Sequence, residues 1–277
     1  MPDGLFIERD NHRTWLKWHR ARRRGSDPVF TGRRILEGMA LGASVEVDLV
    51  VHGDGGMAVL HDLELDRETT GSGPVRGADA ATLRNLHLRD EEGGVLDDRV
   101  MLLEDLAALV RRDGAHPDAL LQLDYKEDAA ALDPVVIANF TLALAPVARH
   151  FILSAGDAEA VAALAADLPD LRIGYDPCYG TQLEALQRTG DFAAFATDAM
   201  AAAPDAEMIY LHHRIVLDAD ARGFDMIGAF HEGGRRIDAY TIQHADDESL
   251  PLVKRLLALR VDQITTDDPE GLAAALR

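Results

Sequence analysis

Glu46 and Asp48 stand two residues apart in the run Ser44-Val45-Glu46-Val47-Asp48-Leu49-Val50, and residues two apart on a strand share a face. Their carboxylates can meet one hard cation, which takes oxygen ligands, while Val45, Val47 and Leu49 turn the other way. A Gly/Asp cluster, Gly53-Asp54-Gly55-Gly56, separates this run from Met57-Ala58-Val59-Leu60 and predicts a hairpin. A reversal near Asp54 and Gly55 returns His61 to about the level of Asp48, so that an imidazole joins the two carboxylates. The same pattern fits a polar edge strand with solvated carboxylates, and the hairpin alone leaves both readings open.

The elements that must hold these residues follow from composition and periodicity. The chain has 277 residues, 47% of them hydrophobic and 27% charged, and short β-rich runs alternate with long Ala/Leu-rich ones. Strands are expected near Trp15–His19, Val45–Val50, Leu120–Lys126, Phe151–Ser154, Leu171–Tyr175, Met208–Leu211, Ile237–Ile242 and Val261–Thr266. Helical stripes lie between them, at Arg33–Leu41, Leu102–Arg112, Pro134–Arg149, Asp157–Asp167, Ala219–His231 and Asp247–Leu259. Alternation of this kind implies a parallel sheet. Eight repeats favour a single-domain TIM (β/α)8 barrel over residues 1–277, with a β-hairpin after the second strand, over an open doubly wound sheet.

In such a barrel the active site gathers at the carboxyl ends of the strands. His19-Arg20, Glu46/Asp48, Asp124/Lys126, Ser154 and His212-His213 all fall at or near those ends. Adjacent residues of a strand face opposite ways, so at most one of His212 and His213 points inward; His212 is a candidate substrate contact. The net charge of −20 argues against binding to nucleic acid or to an anionic membrane, both of which need a basic surface. One cysteine, Cys178, excludes an intrachain disulfide. The start Met1-Pro2-Asp3-Gly4 shows no basic segment followed by an apolar run, and no stretch is long enough to span a bilayer. A cytoplasmic, reducing setting without membrane insertion is the expectation.

Taken together, these residues resemble the glycerophosphodiester phosphodiesterase family. The resemblance rests on His19-Arg20 ending a strand, Gly42-Ala43-Ser44-Val45-Glu46-Val47-Asp48, and Asp54-Gly55 leading to Val59-Leu60-His61-Asp62, then Leu65, Arg67, Thr70, Gly71 and Gly73. It continues with Leu103-Glu104-Asp105-Leu106, Leu123-Asp124-Tyr125-Lys126 and Thr266-Asp267-Asp268-Pro269; residues 171–225 match no motif of the family. The resemblance implies one divalent cation, Mg2+ or Ca2+, held by Glu46, Asp48 and Asp124. It also implies a small-molecule phosphodiester substrate such as a deacylated phospholipid. Arg20 and Lys126 would grip the phosphate, Arg by a planar fork and Lys as a point charge. His19 and His61 would act as acid and base, their ordinary pKa lying near neutrality.

Four departures from the family pattern bear on the substrate. The first loop reads His19-Arg20-Ala21-Arg22-Arg23-Arg24-Gly25 and lacks the family's glycine after His-Arg. The Glu-Asn that follows in relatives is missing at Phe30-Thr31. Asp124 replaces the usual glutamate. Tyr240-Thr241-Ile242-Gln243 replaces a tryptophan strand, leaving Tyr240 in the substrate wall. Arg22 and Arg24 on the rebuilt loop are either solvated or contacts for a second anionic group of the substrate. Besides hydrolysis, two other readings stand: a lyase or transferase giving a cyclic phosphate, which Asp124 favours, and a non-catalytic barrel that binds phosphorylated ligands.

Overall fold

The computed structural model describes residues 5–178 and 180–276; the start Met1-Pro2-Asp3-Gly4, on which the expectation about a leader rests, lies outside them. In chain order the strands are β1 (Phe6–Arg9), β2 (His12–Trp18), β3 (Ser44–Val51), β4 (Met57–Val59), β5 (His87–Arg89), β6 (Val95–Arg99), β7 (Leu120–Tyr125), β8 (Phe151–Ala155), β9 (Arg172–Tyr175), β10 (Met208–His212), β11 (Arg236–Ile242) and β12 (Gln263–Thr266). The helices are α1 (Gly32–Leu41), α2 (Ala80–Leu83), α3 (Leu103–Asp113), α4 (Pro134–Leu144), α5 (Ala158–Ala165), α6 (Gln182–Thr189), α7 (Phe192–Ala202), α8 (His213–Ala221), α9 (Met226–Glu232), α10 (Ser249–Ala258) and α11 (Pro269–Ala275). The chain forms two compact units. The first comprises the described residues up to His19, Arg23–Gly25 and Ile173 onward; the second comprises Arg20–Arg22 and Ser26–Arg172.

In the second unit β3, β7 and β8 are parallel neighbours, and β4 folds back antiparallel on β3. All eight residues of β3 are buried, which is how a parallel strand covered on both faces reads. Glu46 and Asp48 are therefore interior carboxylates, and the polar-edge reading does not hold. The hairpin register pairs Leu49 with Val59 and Val51 with Met57, so the reversal is centred on Asp54 and lies half a residue earlier than expected. His52, the residue after β3 at the start of the turn, is buried at 3% exposure. A second antiparallel pair, β5 and β6, follows the hairpin.

Helices cover the strands by the apolar stripes that the sequence shows. On α1, Ile35 and Met39 are buried, and the helix ends where Gly42 takes φ 81°, a left-handed cap that glycine adopts without strain. On α4, Asp133 accepts from the amides of Val135 and Val136, with Pro134 opening the helix, as helix starts favour. That helix stops at Leu144, short of the expected Arg149, and a 3₁₀ turn follows at Ala148–His150.

In the first unit β2, β12, β11, β10 and β9 run parallel in that order, and β1 pairs antiparallel with β2 through Asp10 and Asn11. Both turn residues have positive φ, the conformation of a tight two-residue hairpin turn. The expected helix 219–231 is two helices, α8 and α9, parted where Gly223 takes φ 80°. Beneath the strand ends sits a buried ion pair: Lys17 Nζ lies 3.1 Å from Asp238 Oδ2, and both side chains are nearly fully buried. Gln263 and Thr265 donate to the same carboxylate at 2.5 and 2.6 Å. That full satisfaction is the condition for burying a charge.

Candidate functional site

In the second unit, the parallel register of β3 on β7 sets Asp48 directly beside Asp124 and Glu46 beside Gln122. Glu46, Asp48 and Asp124 each offer an oxygen within 4.8 Å of the others. Glu46 and Asp48 are 4% and 1% exposed. Burial, and then the charge of Asp48, push the Glu46 carboxyl well above its usual range. Burial would raise Asp48 too, but Lys126, Arg20 and His61 outweigh it and hold its pKa at about 2. Neighbouring buried carboxylates thus resist joint ionisation, and a hard divalent cation is the group that would let both ionise.

The donor set fits such a cation: three carboxylates and no sulfur. Both oxygens of Asp48 lack a hydrogen bond of good geometry, although they form ion pairs with Arg20 Nε at 3.2 Å and Lys126 Nζ at 2.7 Å. Lys126 also reaches Asp124 Oδ2 at 2.5 Å. Its ammonium is raised well above the usual value because Asp124, Asp48 and Glu46 outweigh the lowering caused by burial. Ser154, at the end of β8, donates to Asp124 Oδ1 at 2.7 Å and receives from Gln122 at 2.8 Å. This chain of donors holds the shorter aspartate side chain in place.

Arg20 follows β2 with φ 51° and ψ 37°, and Ala21 also has positive φ, 60°. Two successive non-glycine residues in the left-handed region are costly. The conformation aims the Arg20 amide at Glu46 Oε2, 2.7 Å away, while its guanidinium faces Asp48.

His61 stands in a closed brace. Its Nδ1 lies 2.8 Å from Asp62 Oδ1, and Arg67 forks onto both Asp62 oxygens at 2.5 and 2.6 Å. Glu68, 4% exposed, accepts from the His61 and Asp62 amides at 2.9 and 3.0 Å and from Arg67 at 3.1 Å. Hydrogen bonding to Arg67 is the main reason that Asp62 is lowered to about 2. His61, Asp62 and Glu68 also approach within 4.8 Å of one another, but Arg67 and the backbone amides already engage the two carboxylates.

The first unit holds the remaining candidates. His19, one residue past β2, sets Nδ1 2.6 Å from Asp267 Oδ1 at the end of β12. Tyr240 donates to Asp176 at 2.7 Å. His212 ends β10 and caps α8, its Nδ1 accepting from Arg214 at 3.2 Å, with its ring stacked on His213. Burial, then His213 and Arg214, lower its pKa to about 4. Burial and Asp176 push the Cys178 thiol far up, which suits a packed cysteine rather than a nucleophile.

The arginine run does not present a free basic patch. Arg22, 5% exposed, pairs with Glu91 at 2.9 Å within the second unit. In the first unit, Arg23 and Arg24 both pair with Glu270. Asp267, Glu68 and Asp176 carried no assigned role in the sequence reading. The available signal was their place: Asp267 sits at a strand's carboxyl end, and Glu68 follows the arginine of the hairpin motif.

The sequence profile of the glycerophosphoryl diester phosphodiesterase family matches residues 34–271. A search of curated proteins found no match. Among solved structures, a phosphodiesterase from Oleispira antarctica in complex with the product sn-glycerol-3-phosphate is 19% identical, with 94% of this chain and 96% of that one covered at a TM-score of 0.64. A glycerophosphodiester phosphodiesterase from Agrobacterium tumefaciens is 20% identical (94% and 99% covered, TM-score 0.64). One from Thermotoga maritima is 17% identical (96% and 99% covered, TM-score 0.64). At these identities the likeness shows the fold, the TIM (β/α)8 barrel.

Proposed function

Because the chain belongs to the glycerophosphoryl diester phosphodiesterase family, we propose that it hydrolyses glycerophosphodiesters to an alcohol and glycerol 3-phosphate, acting over residues 1–277 as one catalytic domain. The observation that carries this reading is the cluster of Glu46, Asp48 and Asp124, with Arg20 and Lys126 set against it. These carboxylates would hold one divalent cation, Mg2+ or Ca2+, which when bound neutralises phosphate charge as a Lewis acid. Arg20 and Lys126 grip the non-bridging oxygens. His19 and His61 each have Nδ1 tied to a carboxylate, so Nε2 is the ring nitrogen assigned to proton transfer. One takes the proton of the water that attacks phosphorus; the other gives a proton to the alkoxide as the phosphorus–oxygen ester bond breaks. Tyr240 lines the substrate wall, and the single cysteine fits a cytoplasmic, reducing setting.

Replacing either His19 or His61 by Ala should lower kcat on a glycerophosphodiester by about 10²–10⁴-fold. Chelation should abolish turnover, and added Mg2+ or Ca2+ should restore it. Wild-type turnover in either histidine variant would sink the assignment. A second reading, attack by a hydroxyl of the substrate itself to give a cyclic phosphate, draws on the aspartate at position 124; phosphorus NMR of the product separates a cyclic ester from a monoester.

A further inference from the structure

An open cleft of about 570 Å3 in the second unit begins at Arg20 and is walled by the His61 brace and the β5–β6 pair, with Arg67, Arg89, Asp90 and Glu92 among its lining. Arg89 differs from the arginines already described, because no carboxylate among the described residues comes within ion-pair distance of it. Its Nε donates to the Thr69 carbonyl at 2.8 Å and its Nη1 to the Gly93 carbonyl at 2.7 Å. Its own amide donates to the Glu68 carbonyl at 2.8 Å. Neutral carbonyls at Nε and Nη1 fix the plane of the guanidinium, while its charge is paired with no described carboxylate in a chain carrying 48 acidic residues against 28 basic ones. Its remaining N–H groups, those of Nη2 among them, can donate to a carboxylate.

The neighbouring wall has the opposite character. Asp90 accepts only from the amides of Glu92 and Gly94, and neither Asp90 nor Glu92 forms an ion pair with a described Lys or Arg. One fixed guanidinium beside two uncompensated carboxylates is complementary to a group with a carboxylate and an ammonium a few bonds apart. The same carboxylates repel a dianionic phosphate.

We propose that this cleft is the subsite for the alcohol part of the substrate and that Arg89 selects a zwitterionic, amino-acid-type alcohol, its carboxylate on Arg89 and its ammonium toward Asp90 and Glu92. The inference rests on the hydrolytic reading above and names the substrate class for it. Arg22 and Arg24, open from sequence to either a solvated loop or a contact for a second anionic group, are held by Glu91 and Glu270; Arg89 takes the second-anion role.

The test compares the glycerophosphodiesters of serine and of ethanolamine, which differ by one carboxylate, for turnover and for calorimetric binding. Wild type should prefer the serine ester by about tenfold or more in kcat/KM, chiefly through KM, as a charged hydrogen bond allows. Arg89→Gln should collapse that ratio toward one, and Arg89→Lys, which keeps the charge without the fork, should give an intermediate ratio and serve if the glutamine variant does not fold. Equal binding of the two esters, or a preference retained in both variants, would overturn the inference. Equal turnover of both would leave hydrolysis standing and remove only the subsite. Tight, Arg89-dependent binding of the serine ester without turnover would keep the subsite and remove the hydrolytic reading.

Discussion

Each proposed catalytic histidine is held through Nδ1 by a carboxylate, but the two braces differ in what the sequence could disclose. Asp62 is the next residue after His61, so the pair is visible in the chain; Asp267 lies 248 residues from His19, and no local spacing betrays it. A carboxylate at Nδ1 fixes the tautomer and the ring plane and stabilises the imidazolium. Asp267→Asn keeps the shape and removes the charge. It should lower kcat by about ten- to a hundredfold, part of the 10²–10⁴ that acid–base catalysis supplies, with KM little changed. Full activity in this variant would remove Asp267 from the proton relay and leave it a packing residue. Glu68 acts one step further back: it holds the His61 and Asp62 amides, and its loss would leave buried donors unsatisfied.

At the scale of elements, all eight barrel strands were legible, because parallel strands buried on both faces read as short apolar runs between amphipathic helices. What escaped was set by turns. The β1–β2 hairpin hangs on Asp10 and Asn11, and the β5–β6 pair turns at Gly93, which has φ 85°; neither stood out without neighbouring β-rich runs of full length. The break between α8 and α9 at Gly223 shows the same limit, since an apolar stripe can continue in phase across a short interruption. The start of α8 yields a test. His212 caps that helix, and burial lowers its pKa from the usual 6.5 to about 4. Between those values the unfolded chain binds a proton that the folded one refuses. Its contribution to stability is therefore complete above about pH 6.5 and is lost as pH falls toward 4. Asn at position 212 keeps a capping acceptor for the Arg214 amide and cannot titrate. Thermal melts should show a smaller fall in Tm from pH 7 to pH 4.5 for His212→Asn than for wild type; equal slopes would contradict a buried neutral imidazole.

Across the whole molecule the acid excess has a local use and a global consequence. Among the described residues, Asp79, Asp133, Asp157, Asp191, Asp225 and Asp268 each accept an amide at a helix start, where negative charge is favourable. Part of the −20 is thus fixed by helix capping rather than by a partner, which is why net charge told against nucleic acid yet did not reveal what the chain binds. The remainder still acts at a distance: under the proposed function a phosphodiester anion would approach a negative field and be gripped only on reaching Arg20 and Lys126. Salt screens the long-range repulsion first, because the Debye length falls from about 30 Å at 0.01 M to about 8 Å at 0.15 M ionic strength. Ion pairs formed in contact, partly buried, are screened much less. The value of kcat/KM on a singly charged glycerophosphodiester should therefore rise several-fold between those ionic strengths at constant divalent cation concentration. For a substrate drawn in by a basic surface the change has the opposite sign, so a fall in kcat/KM would show that the local field of Arg20, Lys126 and Arg89 outweighs the charge of the whole.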